Sequence, residues 1–297
     1  MSVGLILEGG GTRGVYTAGV LDALIDNKIF VNDVYGVSAG ACNSLSYISK
    51  QRGRNYKIFD EYIRDPRYLS INSYLKTGSF FGLDFIFNEL SRELIPFDYY
   101  EFFKSHTRLT IGTTDCITGK PLYFTKQDLD EDFIPVKASS SLPLVSPIVN
   151  FRDYKLLDGG IGDPILIEKA ISDGHEYNII VLTQDKYYRK PPKPDFPEPI
   201  LRKKFKDYPN FVETMLVRPA VYNRQKELCY QMQEQGKAIV IQPPEPMPVG
   251  RYTRNRDKLR TVYEWGLNDG NNAAREIRRF MIIHSWWGAK WQTTKSY

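Results

Sequence analysis

The chain has 297 residues, 42% hydrophobic and 25% charged, which is enough apolar material to bury a large core in one or two domains. Its net charge of +5 is too mild to imply a nucleic-acid partner. Its 3 cysteines (Cys42, Cys116, Cys229) are an odd number without metal-ligand spacing, which points to a reduced interior.

Residues 3–8 read as a buried strand. No basic stretch with an apolar run precedes it, and no stretch reaches the ~18 uninterrupted apolar residues of a membrane span. The expectation is therefore a cytoplasmic protein without signal peptide or transmembrane segment, touching membranes at most from the periphery. Residues 12–27 read as a helix, with Val15, Val20, Leu21 and Leu24 at helical spacing. Residues 32–37 form a second predicted strand and residues 39–50 a second helix. This alternation implies parallel strands joined by crossover helices.

Residues 54–106 are aromatic-rich and mostly helical by pattern, suited to a cap over a site or to a plain helical layer. Residues 109–114 and 122–125 flank Thr118-Gly119-Lys120-Pro121 and predict a hairpin. Residues 131–142 predict a helix, ended by the run Ser139-Ser140-Ser141-Leu142-Pro143. Residues 155–157 form a short strand that enters Asp158-Gly159-Gly160. Pro164 suits the first turn of a helix reaching about Asp173, and residues 177–182 form another strand. Residues 186–206 hold five prolines and eight Lys or Arg against two acids, a basic, proline-rich loop. A helix over 210–235, a strand over 238–241 and one or two terminal helices over 257–284 follow. No internal repeat is present.

Two short segments carry chemistry. Gly36-Val37-Ser38-Ala39-Gly40 lies at a strand-to-helix junction and reads as a nucleophile elbow. A serine hydroxyl is a poor nucleophile near neutral pH and needs a base and an exposed position. The turn lifts Oγ above the sheet, and Gly36 and Gly40 permit the close backbone approach this requires. Gly9-Gly10-Gly11-Thr12-Arg13-Gly14, at the end of the first strand, offers bare backbone N–H groups for the oxyanion that such an attack creates. Arg13 either braces this loop and favours the anion or is a surface residue on the first helical turn. The 3 histidines (His106, His175, His284) sit in no persuasive motif. Asp158, at a strand end and followed by Gly159 and Gly160, is the better candidate base.

With these three motifs in place the sequence resembles the patatin-like phospholipase family, particularly its bacterial members, over roughly residues 3–185. The block 138–143 is similar to the small-residue block that precedes the family's aspartate. The resemblance implies an α/β, three-layer fold with a mainly parallel central sheet flanked by helices and a C-terminal, mostly helical extension. The expected organisation is a patatin-like catalytic domain over 1–185, followed, from composition and helical pattern rather than from the resemblance, by a basic Pro-rich loop over 186–209 and a mostly helical region over 210–297 packed on the catalytic domain. The resemblance further implies a serine lipid acyl hydrolase of phospholipase A or lysophospholipase type. Ser38 is then the nucleophile, Asp158 its base, and the amides of Gly9, Gly10 and Gly11 the oxyanion hole. Thr12, Arg13, Gly14, Gly36, Gly40, Gly159 and Gly160 support these motifs. The implied partner is a lipid or other acyl ester, with no metal and no cofactor. Two glycines after the aspartate, where plant storage members have glycine then alanine, are a minor departure.

Three rival readings stand beside this one. The first glycine run also fits a dinucleotide fingerprint, but no acid ends the second strand to bind ribose. An α/β-hydrolase triad of Ser38, Asp158 and either His175 or His284 has the right chain order, yet that fold places its elbow after several strands. A non-catalytic lipid-binding protein needs no intact dyad. The basic segments 186–206 and 251–260, with Trp286, Trp287 and Trp291, suit an anionic membrane surface or, more plainly, a solvated loop and a packed helix. Oligomeric state is not legible.

Overall fold

A computed structural model describes residues 3–70, 73–75 and 78–293, with side chains described as far as residue 284. The tryptophans at 286, 287 and 291, read above as interfacial, lie outside the residues whose side chains are described. Among the described residues no helix is long and apolar enough to cross a membrane.

Eight strands form one mixed sheet: β1 (Gly4–Leu7), β2 (Asp33–Val37), β3 (Arg108–Asp115), β4 (Pro121–Thr125), β5 (Val149–Phe151), β6 (Tyr154–Asp158), β7 (Asn178–Val181) and β8 (Ala238–Ile241). Their order is β5-β6-β3-β2-β1-β7-β8, with β4 paired to β3 outside that path. The strands β3, β2, β1, β7 and β8 are mutually parallel, while β4 and β6 run antiparallel to β3. β1 is buried on both faces, as a central parallel strand must be when helices cover both sides.

Strand alternation divides the core into two layers. Leu5 and Leu7 of β1, Val34 of β2, and Ile179 and Val181 of β7 face one side. There they meet helices α1 (Gly14–Asp26), α2 (Ala39–Ile48) and α3 (Arg54–Tyr62). Ile6, Tyr35, Val37 and Ile180 face the other side. This layer holds Ile167 and Ala170, followed by Tyr222, Cys229 and Met232 from a later helix. The result is the helix–sheet–helix sandwich expected from the motifs.

Helix α4 (Tyr99–Lys104) and helix α5 (Ile134–Ser139) follow α3. The aromatic stretch between α3 and α4 is less regular than its pattern predicts. Within it lies a helical segment that is α-helical over Leu83–Phe85 and π-helical over Ile86–Leu94. Helix α6 (Ile167–Ser172) starts later than predicted. Pro164 precedes it in a turn closed by the buried Asp163 carboxylate, which accepts the Leu166 amide at 3.0 Å. The basic loop is also not continuous, because Glu198–Lys204 forms helix α7. Proline in a first turn removes no hydrogen bond, and Glu198 pairs with Arg202 at 2.7 Å one turn on. Helix α8 (Pro209–Glu234) and one unbroken terminal helix, α9 (Arg256–Thr293), complete the chain.

Helix α9 lies along α1, and Leu259, Val262, Tyr263 and Ile277 join the same core as Val15, Tyr16 and Val20. Small residues let the two backbones touch: a Cβ on Gly19 would collide with the Tyr263 carbonyl, and one on Gly266 with the Tyr16 carbonyl. Gly266→Ala is therefore expected to force the helices apart and to cost about 1–3 kcal/mol, read from the midpoint of a urea unfolding curve. A midpoint equal to that of the parent chain would show that the contact is not tight.

Candidate active site

Sheet register brings the two motif residues together. Val37 of β2 pairs with Gly112 of β3, and Asp158 of β6 pairs with Thr113, the next residue along. β4 covers Thr110–Thr114 from the opposite side, so β2 and β6 share one side of β3 and run toward each other. Ser38, one residue past β2, therefore meets Asp158 at the tip of β6. Ser38 has φ 53° and ψ −124°, a conformation that costs a non-glycine residue about 1–3 kcal/mol and persists only where its surroundings impose it. Two contacts impose it. The Ser38 amide donates to Ser139 Oγ at 2.8 Å, and that hydroxyl donates onward to the Gly112 carbonyl at 2.6 Å. Gly40 lets α2 start against β1, since any Cβ there would collide with the Leu7 carbonyl.

The glycine loop lies beside this elbow because Leu7 of β1 pairs with Gly36 of β2. A Cβ on Gly9 would come 2.9 Å from Ser38 Cβ, so the loop backbone rests directly on the serine. The amides of Gly9, Gly10 and Gly11 donate to no acceptor among the described residues, whereas their neighbours are tied down. The Thr12 amide donates to the Arg251 carbonyl at 3.0 Å, and Thr12 Oγ1 donates to the Gly250 carbonyl at 2.7 Å. Gly11 has φ +58°, and a Cβ there would sit 2.5 Å from the Arg251 carbonyl. The Gly14 carbonyl accepts Asn43 Nδ2 at 2.8 Å, which links the starts of α1 and α2.

Asp158 is 3% exposed. Its Oδ1 accepts the Gly160 amide at 2.8 Å, while Oδ2 is buried and has no hydrogen-bond partner among the described residues. Burial pushes the carboxyl above its ordinary pKa. The nearby Ser38 hydroxyl, the Gly160 amide and the charges of Arg218 and Arg251 oppose that rise without cancelling it.

Two cavities meet at Ser38, Gly11 and Leu142. One is walled by apolar side chains such as Ile58, Phe59, Tyr68, Phe81, Phe87 and Phe133. The other contains Asp158, Glu8, Arg13, Lys190, Arg218 and Arg251. Cys42, one turn along α2, lines the apolar cavity beside Ser140 Oγ at 3.3 Å, and burial pushes its thiol up to about 11. It packs there as a protonated thiol.

All three histidines lie at the other edge of the sheet. His175 Nε2 is 3.7 Å from Asp33 at the start of β2, and His106 lines the same cleft as His175. His284 stacks on Tyr177, just before β7. Five strand residues, about 16 Å, separate Asp33 from Ser38. Neither cavity that contains Ser38 has a histidine in its wall among the described residues.

Several site residues were not legible in the sequence. Ser139 lies in the small-residue block, but nothing there marks it as the clamp on the elbow. Lys190 and Arg251 belong to the two basic segments read as membrane-facing or solvated, yet Lys190 is 8% exposed and both line the polar cavity. Arg13 also lines it, which settles its position in favour of the site rather than the surface.

A family model described as patatin-like phospholipase matches residues 5–171, and one described as a domain of unknown function (DUF6363) matches residues 208–282. Uncharacterized protein YjjU of Escherichia coli (strain K12) is 29% identical over 191 residues, 61% of this chain and 52% of that protein. Lysophospholipase NTE1 of Debaryomyces hansenii is 29% identical over 197 residues, 61% of this chain and 12% of that protein. The chain thus spans about half the length of the first relative and about an eighth of the second. Among solved structures, VipD from Legionella pneumophila aligns with 93% of this chain and 67% of that chain at 13% identity and a TM-score of 0.47.

Removing the clamp leaves the Ser38 amide and the Gly112 carbonyl buried without their partner. Ser139→Ala is expected to cost about 1–3 kcal/mol of stability, measured by chemical denaturation. A loss below about 0.5 kcal/mol would mean that the elbow is held by other contacts.

Proposed function

The chain belongs to the patatin-like phospholipase family, and on that premise we propose that it is a serine lipid acyl hydrolase of phospholipase A or lysophospholipase type. The catalytic domain over 1–185 carries the chemistry, while Tyr188 and Lys190 from the basic loop and Arg218, Tyr222 and Arg251 from the C-terminal region add to the wall of the site. The observation that supports this most is the unpartnered, buried Oδ2 of Asp158 beside the Ser38 hydroxyl, with three unpaired amides next to it.

In the proposed cycle Asp158 takes the Ser38 proton as Oγ attacks the ester carbonyl. The carbonyl oxygen becomes an anion held by the Gly9, Gly10 and Gly11 amides, each such donor being worth about 3–4 kcal/mol in the transition state. The C–O bond to the alcohol then breaks, the alcohol leaves with the proton, and an acyl-serine remains. Water adds to that carbonyl, Asp158 again accepts a proton, and the proton returns to Ser38 as the fatty acid departs. The apolar cavity suits the acyl chain. Exposed Lys193, Lys203, Lys204 and Lys206 suit the anionic surface of a lipid aggregate.

The position of the histidines weighs against the triad reading. An inert lipid binder remains the functional rival, and activity measurements separate the two. Ser38→Ala is expected to abolish labelling by a fluorophosphonate probe, and Asp158→Asn to lower kcat by at least about 10³-fold. His106→Ala, His175→Ala and His284→Ala should keep most of the turnover. Hydrolysis that survives in Ser38→Ala would refute the nucleophile, and a histidine variant as inactive as Ser38→Ala would restore the triad.

The base must be ionised to act, and burial raises its pKa. Activity is therefore expected to fall on the acid side, with a midpoint above the ~3.9 of an ordinary aspartate. A kcat/KM profile with its acid limb at or below ordinary aspartate pH would remove Asp158 from this role.

A further inference from the structure

The dyad chemistry uses a hydroxyl, a carboxylate and a loop of amides. Four cationic side chains that line the polar cavity, Arg13, Lys190, Arg218 and Arg251, take no part in it. Three of them come from beyond residue 185. Lys190 is held to α8 through its backbone, its amide donating to Asn223 Oδ1 at 2.8 Å and its carbonyl accepting Asn223 Nδ2 at 2.9 Å. Arg218 is anchored by donating from Nε to the Gly160 carbonyl, two residues past Asp158.

One carboxylate serves three of these cations. Asp195 accepts Lys190 Nζ at 3.2 Å, Arg218 Nη1 at 2.8 Å and Arg251 Nη2 at 3.1 Å. Arg13 forms no hydrogen bond or ion pair with the described residues, and its Nε is buried without a partner. The Tyr222 hydroxyl in the same cavity is likewise buried, beside the Glu8 carboxylate. Three of the four cations share a single carboxylate and Arg13 has none within ion-pair distance among the described residues, and such an excess of buried positive charge favours an anion. Burial lowers the pKa of Arg13 and of Arg218, and repulsion from Arg251 adds to the effect in both.

Resting on the hydrolase reading, we propose that this cavity is a phosphate subsite for the alcohol side of the ester. Its preferred substrates carry a phosphate not balanced by a cationic head group, as in lysophosphatidate or an acyl phosphoglycerol. Guanidinium forks match phosphate oxygens, and the cavity shares Ser38 with the apolar one while having a different, charged wall. A quaternary ammonium finds no place here. The Tyr222 ring already faces Lys190 Nζ at 5.6 Å and the Tyr188 ring Lys226 Nζ at 5.7 Å. Of the carboxylates in its wall, Glu8 accepts the Thr183 amide at 2.6 Å and Asp158 is the proposed base beside Ser38, while Asp195 is shared by its three cations.

The test compares kcat/KM for lysophosphatidate, lysophosphatidylcholine and monoacylglycerol with the same acyl chain. Lysophosphatidate is expected to lead each of the others by about tenfold or more, the effect of one charge-assisted hydrogen bond. Lys190→Gln and Arg251→Gln should each collapse that ratio, and Arg251→Lys should restore part of it. Glycerol 3-phosphate and inorganic phosphate, titrated calorimetrically into Ser38→Ala, measure the subsite without turnover. Binding of glycerol 3-phosphate that weakens in the Ser38→Ala/Arg251→Gln double variant supports the proposal. Equal kcat/KM for all three esters, with no binding of either phosphate, overturns the subsite while leaving the hydrolase reading intact. Phosphate binding without hydrolysis of any ester overturns the hydrolase reading and leaves the subsite. Phosphatidylcholine-type substrate matching lysophosphatidate overturns the choice of head group. Inorganic phosphate binding as tightly as glycerol 3-phosphate would place the free anion, not a lipid head group, as the ligand.

Discussion

Two strands that end against each other on one side of β3 set the terms for everything else in this protein. β2 stops at the partner of Gly112 and β6 at the partner of Thr113. No loop has to search for the approach of Ser38 to Asp158, because backbone pairing fixes it. A triad needs a third residue to orient its base. In the proposed dyad the sheet itself does so, with the Gly160 amide holding one oxygen of Asp158 and Ser139 holding the backbone of the serine. The price of this economy is local strain at Ser38 and a buried carboxylate with one oxygen unpaired, the first beyond a strand parallel to β3 and the second at the tip of one antiparallel to it.

The electrostatics of the site are those of charges removed from water together. Burial pushes the Asp158 carboxyl up and the Arg13 and Arg218 guanidiniums toward neutrality. Asp158 and the arginines also stabilise one another's charged forms. The balancing groups come from residues 190–251, outside the stretch that matches the patatin-like model. The same region pins the glycine loop, since the Arg251 and Gly250 carbonyls bind Thr12. The C-terminal third is therefore a wall of the site as well as a packing partner of α1.

What the sequence revealed and what it hid follow from the range of the interactions involved. The elbow, the glycine loop and the aspartate were readable because each is a short segment whose turn demands particular residues. The alternating strands and helices of the first fifty residues were readable from periodicity for the same reason. β5 was not, because three residues carry no period. Helix α7 was hidden by prolines that end most helices but suit a first turn. Ser139, Lys190, Arg218 and Arg251 were invisible for a deeper reason. Their roles depend on partners 30 to 100 and more residues away, such as Ser139 with Ser38, and nothing local distinguishes an inward-turned lysine from a solvated one.

The two cavities also order the proposed reaction in space. The apolar cavity includes Ser38 in its wall but not Asp158, whereas the polar cavity includes both. An acyl chain lodged among Phe59, Phe81 and Phe133 excludes water from that side of the acyl-serine. The alcohol then leaves, and water enters, through the charged side, where the base already stands. One carboxylate can act in both half-reactions because leaving group and water use the same entrance in turn. A base on the apolar side would face the acyl chain in the second step and have no water to activate. In the proposed cycle, the division of the pocket into an apolar half and a charged half is thus what lets two residues suffice.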